Sequence, residues 1–178
     1  MKYLAFAAVA LLVAANSCIT YKAENTSVKD TVYVLESVED IPTGRIFSFR
    51  DYCAFNADRG AEDAVLDRTL AEADARLELH FFDGTAELRL ESSSSGDKSP
   101  GFLEYQKRYA SRFFFTEDKH SVELTLNVEV LDEEERSAIE RMSAAERDTV
   151  LKSVFEKSGD ILIEPDEEDE VVNYWRRM

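Results

Sequence analysis

Hydrophobic and polar residues alternate most clearly in ARLELHFFDGTAELRLES, residues 75–92. Leu77, Leu79 and Phe81 alternate before Asp83-Gly84, and Ala86, Leu88 and Leu90 alternate after it. A two-residue Asp-Gly turn is a strong hairpin signal, because it tolerates the positive φ of a type I′ turn. Closing the turn there pairs Phe81 with Ala86, Leu79 with Leu88 and Leu77 with Leu90. All six apolar side chains then share one face. A one-residue slip would send one strand's set to solvent, so the register is strongly specified. Glu78, His80, Glu87 and Arg89 take the opposite, wetter face.

The same period recurs elsewhere. TVYVLESV, residues 31–38, is β-branched and aromatic and reads as a strand. GRIFSFRDYCAF, residues 44–55, follows Pro42-Thr43-Gly44 and reads as one or two more strands. FLEYQKRYASRFFF and SVELTLNVEVL read as strands around a turn at 116–119. In the second, Val122, Leu124, Leu126, Val128 and Val130 alternate with polar residues. Nine residues at about 3.3 Å each span roughly 30 Å, a length that invites an outer-membrane barrel. Too few such strands are legible to close one, since membrane barrels need at least about eight. DILIEP and EVVNYWRRM read as a closing hairpin around the acidic loop DEEDE, with Trp175 as a core plug.

Two stretches carry helical spacing instead. Val65, Leu66, Leu70 and Ala73 predict a helix over about 61–74. In DEEERSAIERMSAAERDTVLKSVFEKSGD, residues 132–160, Asp132 with Glu135 and Ser143 with Glu146 match capping boxes. Ala138, Ile139 and Met142 form one apolar stripe, and Val150, Leu151, Val154 and Phe155 form another, with Gly159 as the stop. The expected fold is therefore α+β. It has an antiparallel sheet of about six to eight strands, one helix near 61–74 and a helical hairpin near 132–158 packed on the sheet. An open-ended sheet of apolar strands is also compatible with a lipocalin-like arrangement, but FFDGTAEL is a generic hairpin and assigns no domain family. SSSSGDKSPG, residues 92–101, reads as a loop.

The first residues change the picture of where this domain works. Lys2 is followed by the apolar run 4–15, which ends at Asn16-Ser17 before Cys18. That run is shorter than the about 20 residues a membrane-spanning helix needs. A basic start, an apolar middle and small residues at the end describe a secretory signal peptide over 1–17. The segment resembles a bacterial lipoprotein signal, in which a small residue precedes a cysteine that is then diacylated. Ser17 fits that small position. Ala15 departs from the usual Leu, and Asn16 is atypical, as in the looser boxes tolerated by Bacteroidota. The resemblance covers about eighteen residues and implies lipidation at Cys18, with the membrane as partner through that anchor. Ile19 is not the acidic residue that resembles an inner-membrane retention signal, so the outer membrane is the expected address. Ordinary cleavage after Ala15 or Ser17, giving a secreted or periplasmic protein, is the alternative. Residues 18–30 read as a polar tether, and 31–178 as a single α+β domain.

Charge and composition narrow the function. A net charge of −16 from 37 acids and 21 bases disfavours nucleic-acid binding and favours cationic partners, if any are steered at all. Lipidation of Cys18 leaves Cys53 unpaired; without it the two could form a disulfide in an oxidising compartment. His80 and His120 show no metal-type spacing, and no nucleophile elbow or Gly-rich phosphate loop occurs. No cofactor is expected. The densest ligand cluster is Asp166, Glu168, Asp169 and Glu170 with Glu167, a weak Ca²⁺ candidate, because consecutive carboxylates on an extended chain point to alternating sides. The expected function is a non-enzymatic, envelope-tethered domain binding a protein or small ligand. The alternatives are a hydrolase-type enzyme using carboxylates with His80 or Cys53, and an assembly subunit docking through 132–158. Mass spectrometry of the mature chain checks the anchor. The expected product begins with diacylated Cys18; an unmodified amine on Asn16 or Cys18 places the protein in the secreted class.

Overall fold

The computed structural model describes residues 27–60, 64–92, 99–167 and 169–178. The expected leader, Cys18 and most of the tether lie outside the described residues, as do 61–63, 93–98 and Glu168.

Nine strands follow one another along the chain: β1 (Val32–Asp40), β2 (Arg45–Phe47), β3 (Ala75–Phe81), β4 (Thr85–Ser92), β5 (Ser111–Glu117), β6 (Ser121–Leu126), β7 (Lys152–Ser158), β8 (Ile161–Asp166) and β9 (Val171–Arg177). From β3 to β9 each strand pairs with the next, and β1 pairs with both β3 and β9. The result is a closed, antiparallel, up-and-down barrel of eight strands, with β2 added outside β1. This overturns the expected open α+β sheet with helices packed on it. The reason is long-range. Tyr33 to Asp40 runs beside Arg177 to Val171, and a bulge between Leu35 and Ser37 lets β1 bend into both neighbours. Closure satisfies edge N–H and C=O groups that an open sheet would leave bare.

The 75–92 hairpin has the expected register, Leu77↔Leu90 through Phe81↔Ala86. Its turn differs in detail: Gly84 has φ +79°, whereas Asp83 does not enter the left-handed region. The β8–β9 hairpin also forms where the pattern placed it. Alternation carries Tyr33, Leu35, Leu79, Phe81, Phe113, Phe115, Leu124, Phe155, Leu162 and Trp175 inward, into one core. Arg76, Glu87, Arg89, Arg112, Glu123, Glu156 and Arg176 occupy outward positions of the strands. That polarity is the reverse of a lipid-facing barrel. The barrel has the eight strands that the sequence pattern did not reveal, and its charged outer face is what argues against a lipid-facing one.

Three stretches read as strands contain helices. Phe49–Arg59 is α1, started by Ser48, whose hydroxyl accepts from the Asp51 N–H at 3.2 Å, and stopped by Gly60 at φ +69°. Pro100–Tyr109 is α3, capped by Ser99, which accepts from Phe102 N–H at 3.1 Å, with Pro100 in the first turn. After Leu126, Asn127 caps a 3₁₀ turn over Val128–Val130 through a 3.0 Å bond from Glu129 N–H, so β6 stops there. Between α1 and β3, α2 (Ala64–Glu72) occupies much of the predicted helix. Leu66 and Leu70 are buried, but Val65 is 78% exposed.

Both capping boxes form, starting α4 (Glu133–Arg141) and α5 (Ala144–Leu151). The second apolar stripe does not, because α5 gives way to β7 at Lys152. Phe155 then points into the barrel and Val154 out, 51% exposed. Gly159, with φ +63°, serves the β7–β8 turn and not a helix end. α5 buries none of its residues and runs directly on into β7, while α4 has no extended contact with any strand. The expected packing of a helical hairpin on the sheet is corrected accordingly.

The two ends of the barrel are built differently. At one end lie the short β3–β4, β5–β6 and β7–β8 turns. Residues 27–31 cross this end. Val28 is fully buried, its N–H donates to Glu117 Oε1 at 3.1 Å, and Ser27 Oγ donates to Glu117 Oε2 at 2.8 Å. Lys157, from β7, pairs with the same carboxylate. Burial pushes the Glu117 carboxyl up, but these donors together hold it below the usual range. This end is a sealed floor. The other end carries every helix-containing connection. There Cys53, Leu66, Leu70 and Phe102 cover Leu77 and Leu90, and Gln106 Nε2 donates to the Leu90 carbonyl at 2.8 Å where β4 runs past β5. Phe102→Ala is expected to lower stability by about 3–5 kcal/mol in urea unfolding. Leu103→Ala, at a half-exposed neighbour, should stay within about 0.5 kcal/mol. Equal losses at the two positions would show that α3 does not cap the core.

Candidate functional site: a cavity at the helical end of the barrel

Beneath α1 the interior is not filled. A cavity of about 320 Å³ lies under α1, lined by residues of all eight barrel strands. Leu35, Leu79, Leu88, Phe113, Leu124 and Phe155 form its apolar wall, while Phe49 and Tyr52 of α1 form part of its roof. That roof is held from outside. Phe47 of β2 stacks on Phe55 at 4.8 Å between centroids, and the guanidinium of Arg45 sits 4.6 Å above Phe47. Arg59, 5.0 Å from the Phe55 ring, reaches Asp40 at 3.9 Å. Asp40 in turn accepts from the backbone and hydroxyl of Thr43.

The polar part of the wall comes from β7, β8 and β9. Leu162, Glu164 and Asp166 alternate inward along β8, and Asn173 and Trp175 are their direct neighbours on β9. Glu164 Oε2 accepts from Trp175 Nε1 at 3.1 Å and from Asn173 Nδ2 at 3.3 Å. Trp175 meets Phe155 edge to face at 6.3 Å. Burial pushes the Glu164 carboxyl above its ordinary range, and the charge on Asp166 pushes the same way. The bonds from Trp175, Asn173 and Ser153 oppose this without cancelling it. The groups facing Glu164 are thus neutral donors from β7 and β9 and further acids from its own strand and loop. Tyr52, on α1, lines the opposite side with a phenol whose own pKa is raised, chiefly by burial and then by nearby acids including Asp169.

The wall is split beside Glu164. β7 and β8 pair only over Glu156↔Ile163, Lys157↔Leu162 and Ser158↔Ile161. Above these, β7 follows β6 and β8 follows β9. Pro165 has no N–H to offer β7. A groove of about 370 Å³ occupies the seam, and it shares Ser153, Glu164 and Asp166 with the cavity. Lys152 borders it and is tied to Asp148 at 3.1 Å.

Asp166 and Asp169, singled out in the sequence as weak metal ligands, do border this cavity. Asp169 N–H donates to Asp166 Oδ1 at 3.1 Å, which shapes the β8–β9 loop. Glu170 sits at φ +53° and precedes β9, and Glu168 lies outside the described residues. Among the described residues no three His, Cys, Asp or Glu side chains converge as a metal site. Cys53 is on the buried face of α1, and its thiol is pushed up to about 12, mainly by burial, so it is a packing residue and not a thiolate nucleophile. His80 is at the floor end on the outer face of β3, 2.8 Å from Glu78. His120 is in the β5–β6 turn, where its N–H donates to Asp118 Oδ1 at 2.6 Å. Of the hydrolase alternative, His80 does meet a carboxylate, Glu78, but on the outer face of β3 at the floor end, and Cys53 lies on the buried face of α1 at the other end. Glu164 was missed in the sequence. Its signal was a carboxylate in phase with Leu162, at an inward position of a strand.

Comparison with protein-family models, with curated proteins and with solved structures finds no match to this chain.

Glu164→Gln tests the environment of this carboxyl. A carboxyl with a raised folded pKa binds its proton more tightly when folded. Its contribution to stability is full below the ordinary value of 4.5 and is lost as pH rises through the folded value. The variant should therefore gain urea stability relative to wild type as pH climbs from about 4.5 toward neutrality. A gap that is constant with pH would contradict a raised pKa.

Proposed function

We propose that this protein is a non-enzymatic binding barrel of the cell envelope, which holds one small, mainly apolar ligand inside the barrel and is tethered to the membrane through Cys18. The observation that carries the binding half is the cavity at the helical end, with an apolar wall and a few converging polar groups. Eight-stranded barrels are at the size where the interior is either filled by side chains or holds one small ligand, as in lipocalins and streptavidin. Here the floor half follows the first solution and the helical half the second. Ligand pockets run from about 300 to 1,000 Å³, so this cavity belongs at the small end. It is about twice the 150 Å³ volume that admits benzene, which suits a ligand of roughly a dozen non-hydrogen atoms.

The tethering half rests on the leader and on Cys18. Two acyl chains on one cysteine give stable membrane anchoring where a single chain does not, at about 0.8 kcal/mol per buried methylene. A tether ending at Ser27 would join the body at its sealed floor, with the cavity at the far end. The second half of the proposal thus leaves the first unobstructed.

The single tryptophan, Trp175, is part of the cavity wall and supplies an intrinsic reporter. Titration with octanol is expected to change its emission saturably, with one site per chain. Leu88→Phe, which fills the cavity from β4, should abolish the response while leaving the thermal midpoint unchanged or raised. An unaltered response in Leu88→Phe, or none in the wild type, would remove the binding reading.

A further inference from the structure

We infer that the ligand of this barrel is an organic cation: a compact amine whose apolar body lies against Leu79, Phe113 and Leu124 and whose ammonium pairs with Glu164. The inference rests on the binding reading above and specifies its chemistry.

The first observation is the one-sided charge of the wall. Among the described residues lining the cavity are Glu164, Asp166 and Asp169, and no lysine, arginine or histidine. The nearby cations are committed elsewhere, Arg59 to Asp40 and Lys152 to Asp148. An anionic ligand would enter against the Glu164 carboxylate and the acids beside it.

The second observation is how Glu164 is held. Trp175 Nε1 and Asn173 Nδ2 converge on one carboxylate oxygen, Oε2. Both donors are neutral, so they fix the direction of the side chain without neutralising it. A carboxylate placed in an apolar enclosure is costly unless a counter-charge joins it. An ammonium supplies that charge together with donors that shorten and strengthen the contact.

The third observation is the aromatic lining. Phe49, Tyr52, Phe113, Phe155 and Trp175 all border the cavity. Ring faces attract cations, tryptophan most strongly, and the attraction grows when water is excluded. A carboxylate and several rings around one cavity are the chemistry that recognises an alkylammonium. The β7–β8 seam opens beside Glu164, which provides a route by which a polar head can reach this carboxylate without first crossing the apolar wall.

Three probes of equal chain length separate the possibilities when titrated into the full chain and read by Trp175 emission: octylamine, octanol and octanoate. Octylamine is expected to bind about tenfold or more tightly than octanol, the scale of a charge-assisted hydrogen bond, and octanoate more weakly than either. Glu164→Gln should lower octylamine affinity by about tenfold or more and leave octanol within about threefold. Octanol binding as tight as octylamine in the wild type would overturn the cation assignment and leave the binding reading standing. So would equal loss of both probes in Glu164→Gln, if near-ultraviolet circular dichroism shows that the variant keeps its tertiary structure. If Glu164→Gln does not fold, the wild-type ranking of the three probes decides alone. Failure of all three to bind the wild type would remove the binding reading and this inference with it.

Discussion

The pairing of β1 with both β3 and β9 is the constraint on which the rest of the structure depends. One strand, bent by a bulge at Glu36, supplies hydrogen bonds to two neighbours that lie more than 90 residues apart in the chain. Once that ring is closed, alternation in all eight strands is no longer a choice between a dry and a wet face of a sheet. It becomes a choice between inside and outside. Apolar side chains from every strand are delivered to a single axis, and most charged residues of the same strands are delivered to water, with Glu117, Lys157, Glu164 and Asp166 as inward exceptions. Closure also removes the long bare edges that make antiparallel sheets stick to one another.

A ring of fixed circumference has an interior of fixed width, and how that interior is used depends on what lies over each end. At the floor the turns are short, Val28 inserts from above them, and the Glu117–Lys157 pair satisfies two interior charges against each other. At the other end the connections are long enough to hold helices. Those helices roof the mouth but leave the volume beneath α1 unfilled, and residues of all eight barrel strands line it. Beside that volume the wall is incomplete, because β7 and β8 diverge above Ile163. The cavity, its roof and the seam thus lie together at one end of the barrel.

Local patterns were legible from the sequence where local physics decides the structure. Asp83-Gly84 with its flanking alternation specified the register of a hairpin, and two capping boxes located the starts of α4 and α5. Helix α1 was hidden because Phe47, Phe49, Tyr52, Cys53 and Phe55 satisfy a strand composition as well as a helical one. Ser48 and Gly60 were the overlooked boundary signals, together with Cys53 and Ala57 four apart on a buried face. In the same way Ser99-Pro100 announced α3 more clearly than the aromatic residues after it announced a strand. Lys152 to Phe155 was read in phase with the preceding helix, because Val150, Leu151, Val154 and Phe155 fit both periods at a junction. Closure itself could not be read, since it is a relation between residues 33–40 and 171–177 that no short window contains. The role of Glu164 follows from closure: a carboxylate in phase with Leu162 is unremarkable in a hairpin and becomes a cavity wall only when the hairpin is part of a ring.

The floor has a mechanical side. A body suspended by its leading residues would receive any pull at Ser27 and Val28, and from there along the axis of β1. Hydrogen bonds on both flanks of that strand would then be loaded lengthwise and together, the direction in which a β-ladder yields least readily. The compartment under α1 sits at the opposite pole, so tension in the leash would reach it last.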